Sequence, residues 1–221
     1  MPLMVVASLV EIPASPRIDE LSLNAAAERA AQRQLPYVPE TATLFLPGYY
    51  TVHDPPGAEV TDSERAAMER CLELGHIAMR NGNPPIGAVL LDHKSDQSWE
   101  AVTDDKTTGN LLGHAELNAY IAARATVGGD LRSCTLVTTA QPCTTCIGPL
   151  AEGKLGRVVF AAPRREIRLV SRLMRTRIYD MDDSLWDGDT TTMVLRGHLA
   201  SDALRQFAIW AALRDVGLVN G

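Results

Sequence analysis

From Thr61 onward, apolar positions change rhythm in a regular way. Ala67, Cys71, Leu74 and Ala78 fall three or four residues apart, the stripe of a helix that buries one side and runs to about Arg80. Thr61, Asp62 or Ser63 can cap its start, and Asn81-Gly82-Asn83-Pro84-Pro85 stops it. Ile86 to Leu91 is a short unbroken apolar run, the pattern of a buried strand, and Trp99 to Val102 predicts a second. Beyond them the pattern predicts a helix over His114 to Arg124, a strand over Thr135 to Thr138, and a helix from Cys143 to about Glu152. Pro142 opens this last helix, where its missing N–H costs nothing. A strand over Val158 to Ala162, a helix over Arg165 to Met174, a strand over Thr192 to Leu195 and a helix over Asp202 to Leu213 complete the series.

Strands alternating with helices predict an α/β layered domain. The first two strands, joined by a short polar link, are expected to be antiparallel. The roughly thirty residues between the fourth and fifth strands hold a helix, which suits a right-handed crossover between parallel neighbours. The sheet is therefore expected to be mixed.

Residues 1–60 read differently and are expected to form an N-terminal extension or packing arm, with residues 61–221 as the catalytic domain. Asp19 to Gln32 is an Ala/Glu/Arg-rich stretch that predicts a lone helix. The segment after it mixes aromatics, leucine and proline. It cannot make its own core, but Leu44, Phe45, Leu46, Tyr49 and Tyr50 are costly to leave in water, so the arm is expected to pack. The N-terminal LMVVASLV lacks a basic leader and soon meets Glu11 and prolines, which makes a poor signal peptide.

At 221 residues, 46% hydrophobic and 22% charged, the chain has the composition of a globular protein with a proper core. A net charge of −6 argues against a surface that binds nucleic acid all over. No apolar run approaches membrane-crossing length. Four cysteines in a chain this long do not read as a disulfide framework, and the expected compartment is the cytoplasm.

The chemistry lies in two short motifs, His114-Ala115-Glu116 and Pro142-Cys143-Thr144-Thr145-Cys146. Two thiolates and one imidazole give three ligands suited to Zn2+ and leave its fourth position for water, as a catalytic site requires. Cys143 and Cys146, three apart at a helix start, present their sulfurs on the same side, where the partial positive charge of the helix N-terminus favours thiolates. His114 and Glu116, two apart, would diverge in mid-helix. They converge only if His114 sits at or before the first turn, and Gly113 allows that entry. The order H-x-E…P-C-x-x-C is the mark of zinc nucleobase deaminases. In that chemistry zinc makes water acidic enough to attack near neutral pH. Glu116 would take the water proton, pass it to a ring nitrogen and later help protonate the departing ammonia.

The sequence resembles the cytidine deaminase-like superfamily, in its C-x-x-C branch of tRNA adenosine, guanine, cytosine and deoxycytidylate deaminases. Beyond the zinc motifs, the resemblance is carried by NPPIGAVLLD at Asn83 to Asp92, by HAELNAY with Ala119 packing inward, and by TLVTTAQPCTTCIGPL at Thr135 to Leu150. It implies a three-layer α/β/α domain with a central five-stranded sheet, and a homodimer. It also implies that Gly87 and Ala88 let backbone approach the base, and that Cys143 and the loop of Gln141 and Pro142 lie near the reacting amine. Where members acting on adenosine or guanine carry a base-contacting Asn, this chain has Thr103. Thr144-Thr145 also replaces the Pro-Met of tRNA enzymes.

These readings favour a hydrolytic deaminase of a nucleobase, nucleoside or related amino-heterocycle. A tRNA adenosine deaminase is the alternative, disfavoured by the acidic balance and the missing Asn. A structural-zinc binding protein and a thiol redox protein are the readings from other classes. Between Lys154 and Ile178, eight basic residues (Lys154, Arg157, Arg164, Arg165, Arg168, Arg172, Arg175, Arg177) face one acid, Glu166. A solvated face paired with Asp180, Asp182, Asp183 and Asp187 is expected, with a phosphate or RNA contact as the other reading. His53, His76, His93 and His198 have no partners at ligand spacing; Cys71 and Cys134 read as small core residues, and Trp186 and Trp210 as packing residues or the mouth of a pocket.

Overall fold

A computed structural model of the chain describes residues 4–6, 17–35, 60–171, 192–195 and 199–219. Its centre is β2 (Gly87–Asp92), all six of whose residues are buried. Strand β3 (Gln97–Val102) pairs with it antiparallel, placing Leu90 opposite Trp99, and β4 (Cys134–Ala140) pairs antiparallel on the other side, placing Leu90 opposite Leu136. Strand β5 (Arg157–Ala162) runs parallel to β4, and β6 (Thr192–Leu195) parallel to β5. Strand β1 (Met4–Val6) joins the far edge, parallel to β3. The order is β1-β3-β2-β4-β5-β6. The sheet is mixed, as expected, and among the described residues it has six strands where the resemblance implies five. A three-residue strand is too short to show a period of its own, and only its pairing with β3 defines it.

Both faces of the sheet are covered, which is why β2 and β4 read as continuous apolar runs. Ala88, Leu90, Trp99, Ala101, Leu136, Val158 and Phe160 face α4 (Ala115–Val127) and α5 (Thr144–Glu152). The intervening Val89, Leu91, Val102, Val137, Val159 and Ala161 face α2 (Asp62–Arg80), α6 (Arg164–Ser171) and α7 (Ala200–Asp215). Each large side chain so buried contributes roughly 1.5–3 kcal/mol. Helix α1 (Glu20–Ala31), capped by Asp19, lies against α7: Leu23 and Ala26 share a third cluster with Trp210, Leu213 and Met79. Trp210 is fully buried there and lines no pocket mouth, because α1 covers it. Trp186 and the arm residues Leu44, Phe45, Leu46, Tyr49 and Tyr50 lie outside the described residues.

Local sequence explains the helix ends. Thr61 and Glu64 form a capping box on α2: the Glu64 amide donates to Thr61 Oγ1 at 3.2 Å, and the Thr61 amide to Glu64 Oε2 at 2.9 Å. Glu64 is also paired with Arg157 at 2.9 Å, so this member of the basic stretch is committed to structure. Of the others, Arg168 and Lys154 are exposed, and Arg172, Arg175 and Arg177 lie outside the described residues. A short helix, α3 (Asp105–Thr108), was not expected from sequence. It is held by buried Asn83, whose Oδ1 accepts from the Lys106 and Thr107 amides at 3.0 and 3.2 Å. Among the described residues, no helix is long and apolar enough to cross a membrane.

Candidate metal centre

Strands β3, β4 and β5 point the same way, so their C-terminal ends share one edge of the sheet. From β3 the chain passes through α3 into α4, and β4 and β5 lead into α5 and α6, bringing helix N-termini to that edge. Such an edge favours negative groups. His114 and Cys143 are the N-caps of α4 and α5, both in extended backbone (φ −91, ψ 139 and φ −85, ψ 169). This is the geometry that brings His114 and Glu116 together. Pro142 stands one residue earlier than expected, just outside the cap rather than in the first turn, and Cys143 takes the cap position.

His114 Nδ1 lies 3.3 Å from both the Cys143 and Cys146 sulfurs, which are 3.4 Å from each other. A tetrahedral zinc, with Zn–S near ~2.3 Å and Zn–N near ~2.0–2.1 Å, holds such atoms about 3.5–3.8 Å apart. The triangle needs to open by only a few tenths of an ångström to fit, and the S/S/N donor set is one zinc prefers. All three ligand atoms lie within 4.8 Å of one another, and no other His, Cys or carboxylate among the described residues joins the group. Three protein ligands mark a catalytic site rather than a closed structural one. All four cysteines are free thiols, with Cys71 and Cys134 buried as expected.

The electrostatics follow from these contacts. The Cys146 hydrogen bond, followed by the one to His114, pulls the Cys143 thiol down to about 3. The same sulfur–sulfur contact, together with burial, holds the Cys146 thiol up. His114 is raised, first by its bond to Cys143. Glu116 is 3% exposed, and its Oε2 is buried without a hydrogen-bond partner among the described residues. Burial and then the negative charge at Cys143 push its carboxyl up to about 7.

The residues expected near the substrate have structural partners. Thr103 is buried, and its Oγ1 accepts from the Ala115 amide at 3.1 Å, so it secures the first turn of α4. Gly87 faces α2: a Cβ there would lie 2.3 Å from the Cys71 carbonyl oxygen and 2.6 Å from Leu74 Cβ. Close helix packing therefore explains this glycine, whereas Ala88 faces the α4/α5 side that carries the metal ligands. Gln141 Oε1 accepts from the Arg164 amide at 3.2 Å, tying the start of α6 to the loop before Cys143. His93 meets Thr135 Oγ1 at 2.8 Å, His76 is exposed, and His53 and His198 lie outside the described residues. Sequence reasoning placed Asn83 in the stop after the first helix and at the head of the NPPIGAVLLD run, without a task for its side chain. Only the fold shows that side chain holding the loop that leads toward His114.

Residues 61–162 match the family described as the cytidine and deoxycytidylate deaminase zinc-binding region. The match takes in 102 of the 221 residues and includes all three members of the His/Cys/Cys group. The same stretch is similar to tRNA(Ile)-lysidine synthase of Deinococcus radiodurans, 34% identical over 102 residues, 46% of this chain and 18% of that protein. It is also similar to tRNA-specific adenosine deaminase of Haemophilus influenzae, 30% identical over 103 residues, 46% of this chain and 60% of that one. The chain thus spans less than two thirds of either relative. Guanine deaminase from Nitrosomonas europaea shares the fold, with a TM-score of 0.59 at 20% identity, covering 80% of this chain and 100% of that one. The three candidate ligands lie inside the stretch that matches this zinc-binding region, and zinc suits their S/S/N donor set.

Proposed function

We propose that the protein is a zinc-dependent hydrolytic deaminase that converts an exocyclic amine of a nucleobase, nucleoside or related amino-heterocycle to a carbonyl and releases ammonia. One observation carries this reading: a His114–Cys143–Cys146 triangle close to zinc dimensions stands two residues along the chain from a buried carboxyl oxygen that has no hydrogen-bond partner among the described residues. A structural zinc has no use for that oxygen, and leaving it unsatisfied is costly. Bound by the triangle, zinc supplies the Lewis acidity that makes water a nucleophile near neutral pH. Glu116 accepts the water proton on its unpartnered oxygen and delivers it to a ring nitrogen as the C–O bond forms. It then serves the amine as the C–N bond breaks, so that water and R–NH2 become the carbonyl and NH3. Burial around Glu116 keeps bulk water from competing for those protons.

The reading extends to organisation: residues 61–221 form the catalytic domain, residues 1–60 form an arm laid along it, and the active species is a cytoplasmic homodimer. The packing of α1 on α7 is consistent with such an arm. An adenosine deaminase of tRNA is the second reading, supported by the Haemophilus influenzae relative. An ammonia-release screen over bases, nucleosides, nucleotides and an adenosine-34 anticodon hairpin decides between them. Turnover of a small heterocycle by protein holding one zinc per chain is expected. Turnover of the hairpin alone reverses the ranking, and a zinc-loaded protein that releases ammonia from none of them overturns the proposal.

A further inference from the structure

Arg164 opens α6 at the same edge of the sheet as the metal ligands. Its backbone is anchored there: the Arg164 amide donates to Gln141 Oε1 at 3.2 Å, and the Gln141 amide donates to the Ala162 carbonyl at 2.9 Å. Gln141 is only two residues before Cys143. The guanidinium has two nitrogens that lack such partners among the described residues. Its Nε and Nη1 are buried with no acceptor in hydrogen-bond distance among the described residues, and Glu166 leaves its own Oε2 equally unpartnered. A guanidinium keeps its charge at any physiological pH, so it cannot relieve this burial by losing a proton. Its charge also reaches Glu116, whose carboxylate it favours, after the larger effects of burial, Cys143 and His114. The two unsatisfied N–H donors of Arg164 and the unsatisfied Glu116 oxygen thus stand on the starts of two helices, α6 and α4, that open at one edge of the sheet.

We propose that Arg164 is a substrate-recognising residue, whose buried Nε–H and Nη1–H donate to an anionic oxygen group carried by the amino-heterocycle. A charged acceptor fits better than a neutral carbonyl, because a buried, permanently charged donor is best compensated by an ion. The group is a phosphate or a carboxylate, which share this chemistry. The inference rests on the deaminase reading for its substrate class, but binding tests it without turnover.

Zinc-loaded Glu116→Gln protein, with and without Arg164→Gln, is titrated calorimetrically with matched pairs. Adenosine, guanosine and cytidine are each compared with their 5′-monophosphates, and cytosine with cytosine-5-carboxylate. The nucleotide pairs report a phosphate and the last pair a carboxylate. In at least one pair the charged member is expected to bind about 10- to 100-fold more tightly, as hydrogen bonds to charged groups imply. Arg164→Gln should erase that preference while leaving the neutral member within about threefold. Arg164→Lys, which keeps the charge but not the planar fork, should fall between and guards against a misfolded Gln variant. If no charged member is preferred, or if the neutral member weakens as much as the charged one, the proposal is overturned. The deaminase reading fails separately, when protein retaining Glu116 releases no ammonia although the binding preference holds.

Discussion

Thr103 was expected to touch the substrate, yet its hydroxyl already accepts from the Ala115 amide at 3.1 Å. Thr103→Val removes that acceptor without changing the volume of the side chain. Thr103 is 2% exposed and Ala115 fully buried, so water cannot take the hydroxyl's place. An orphaned buried donor costs about 1–3 kcal/mol. In a chain of this size each kcal/mol lowers Tm by about 2–4 °C, so the variant should melt about 2–12 °C below the native protein. The orphan would sit in the first turn of α4, between His114 and Glu116, so zinc should also be lost to a chelator at lower concentration. Thr103→Ser keeps the oxygen and should restore both. Calorimetric melting of the zinc-loaded proteins, a chelator titration and steady-state kinetics provide the readouts. If Thr103→Val melts within about 1 °C of the native protein while KM rises and kcat holds, the hydroxyl binds substrate and does not hold the helix.

Three further outcomes are expected. Glu116→Gln should keep one zinc per chain by metal analysis but lose about 10²- to 10⁴-fold in kcat, the usual scale of a general acid–base group; full activity would remove Glu116 from the chemistry. Gly87→Ala drives a methyl to within 2.3 Å of the Cys71 carbonyl oxygen. That overpacking should cost about 1–3 kcal/mol in urea unfolding, and an unchanged midpoint would show that α2 does not rest on this strand. Burial alone would raise Asp92, but hydrogen bonds from Ser95, the Lys94 amide and Ser133 outweigh it and lower the carboxyl below its ordinary value. A lowered group stabilises above its unfolded pKa of about 3.9 and loses that contribution as pH falls through the folded value. The stability gap between the native protein and Asp92→Asn should therefore be widest near neutral pH and close below about pH 4, and a gap independent of pH would contradict this.

The sequence by itself determined the periods and the ligands. Helical spacing in Ala67, Cys71, Leu74 and Ala78 and the unbroken run after Ile86 follow from local burial, and the structure places helix and strand there. His114, Glu116, Cys143 and Cys146 stand out as candidates because a metal site needs fixed residue types at short spacing. The demand that His114 precede the first turn is a rule of helix geometry alone. Tertiary structure decided what depends on partners distant in the chain. Gly87 is glycine because α2 passes across it, Thr103 is bound to a helix that begins twelve residues later, Arg157 answers Glu64, and β1 exists only because β3 offers it an edge. None of these leaves a period or a motif. A hydrogen bond or a close approach is a relation between two surfaces, and a linear sequence records each surface without saying which other it will meet.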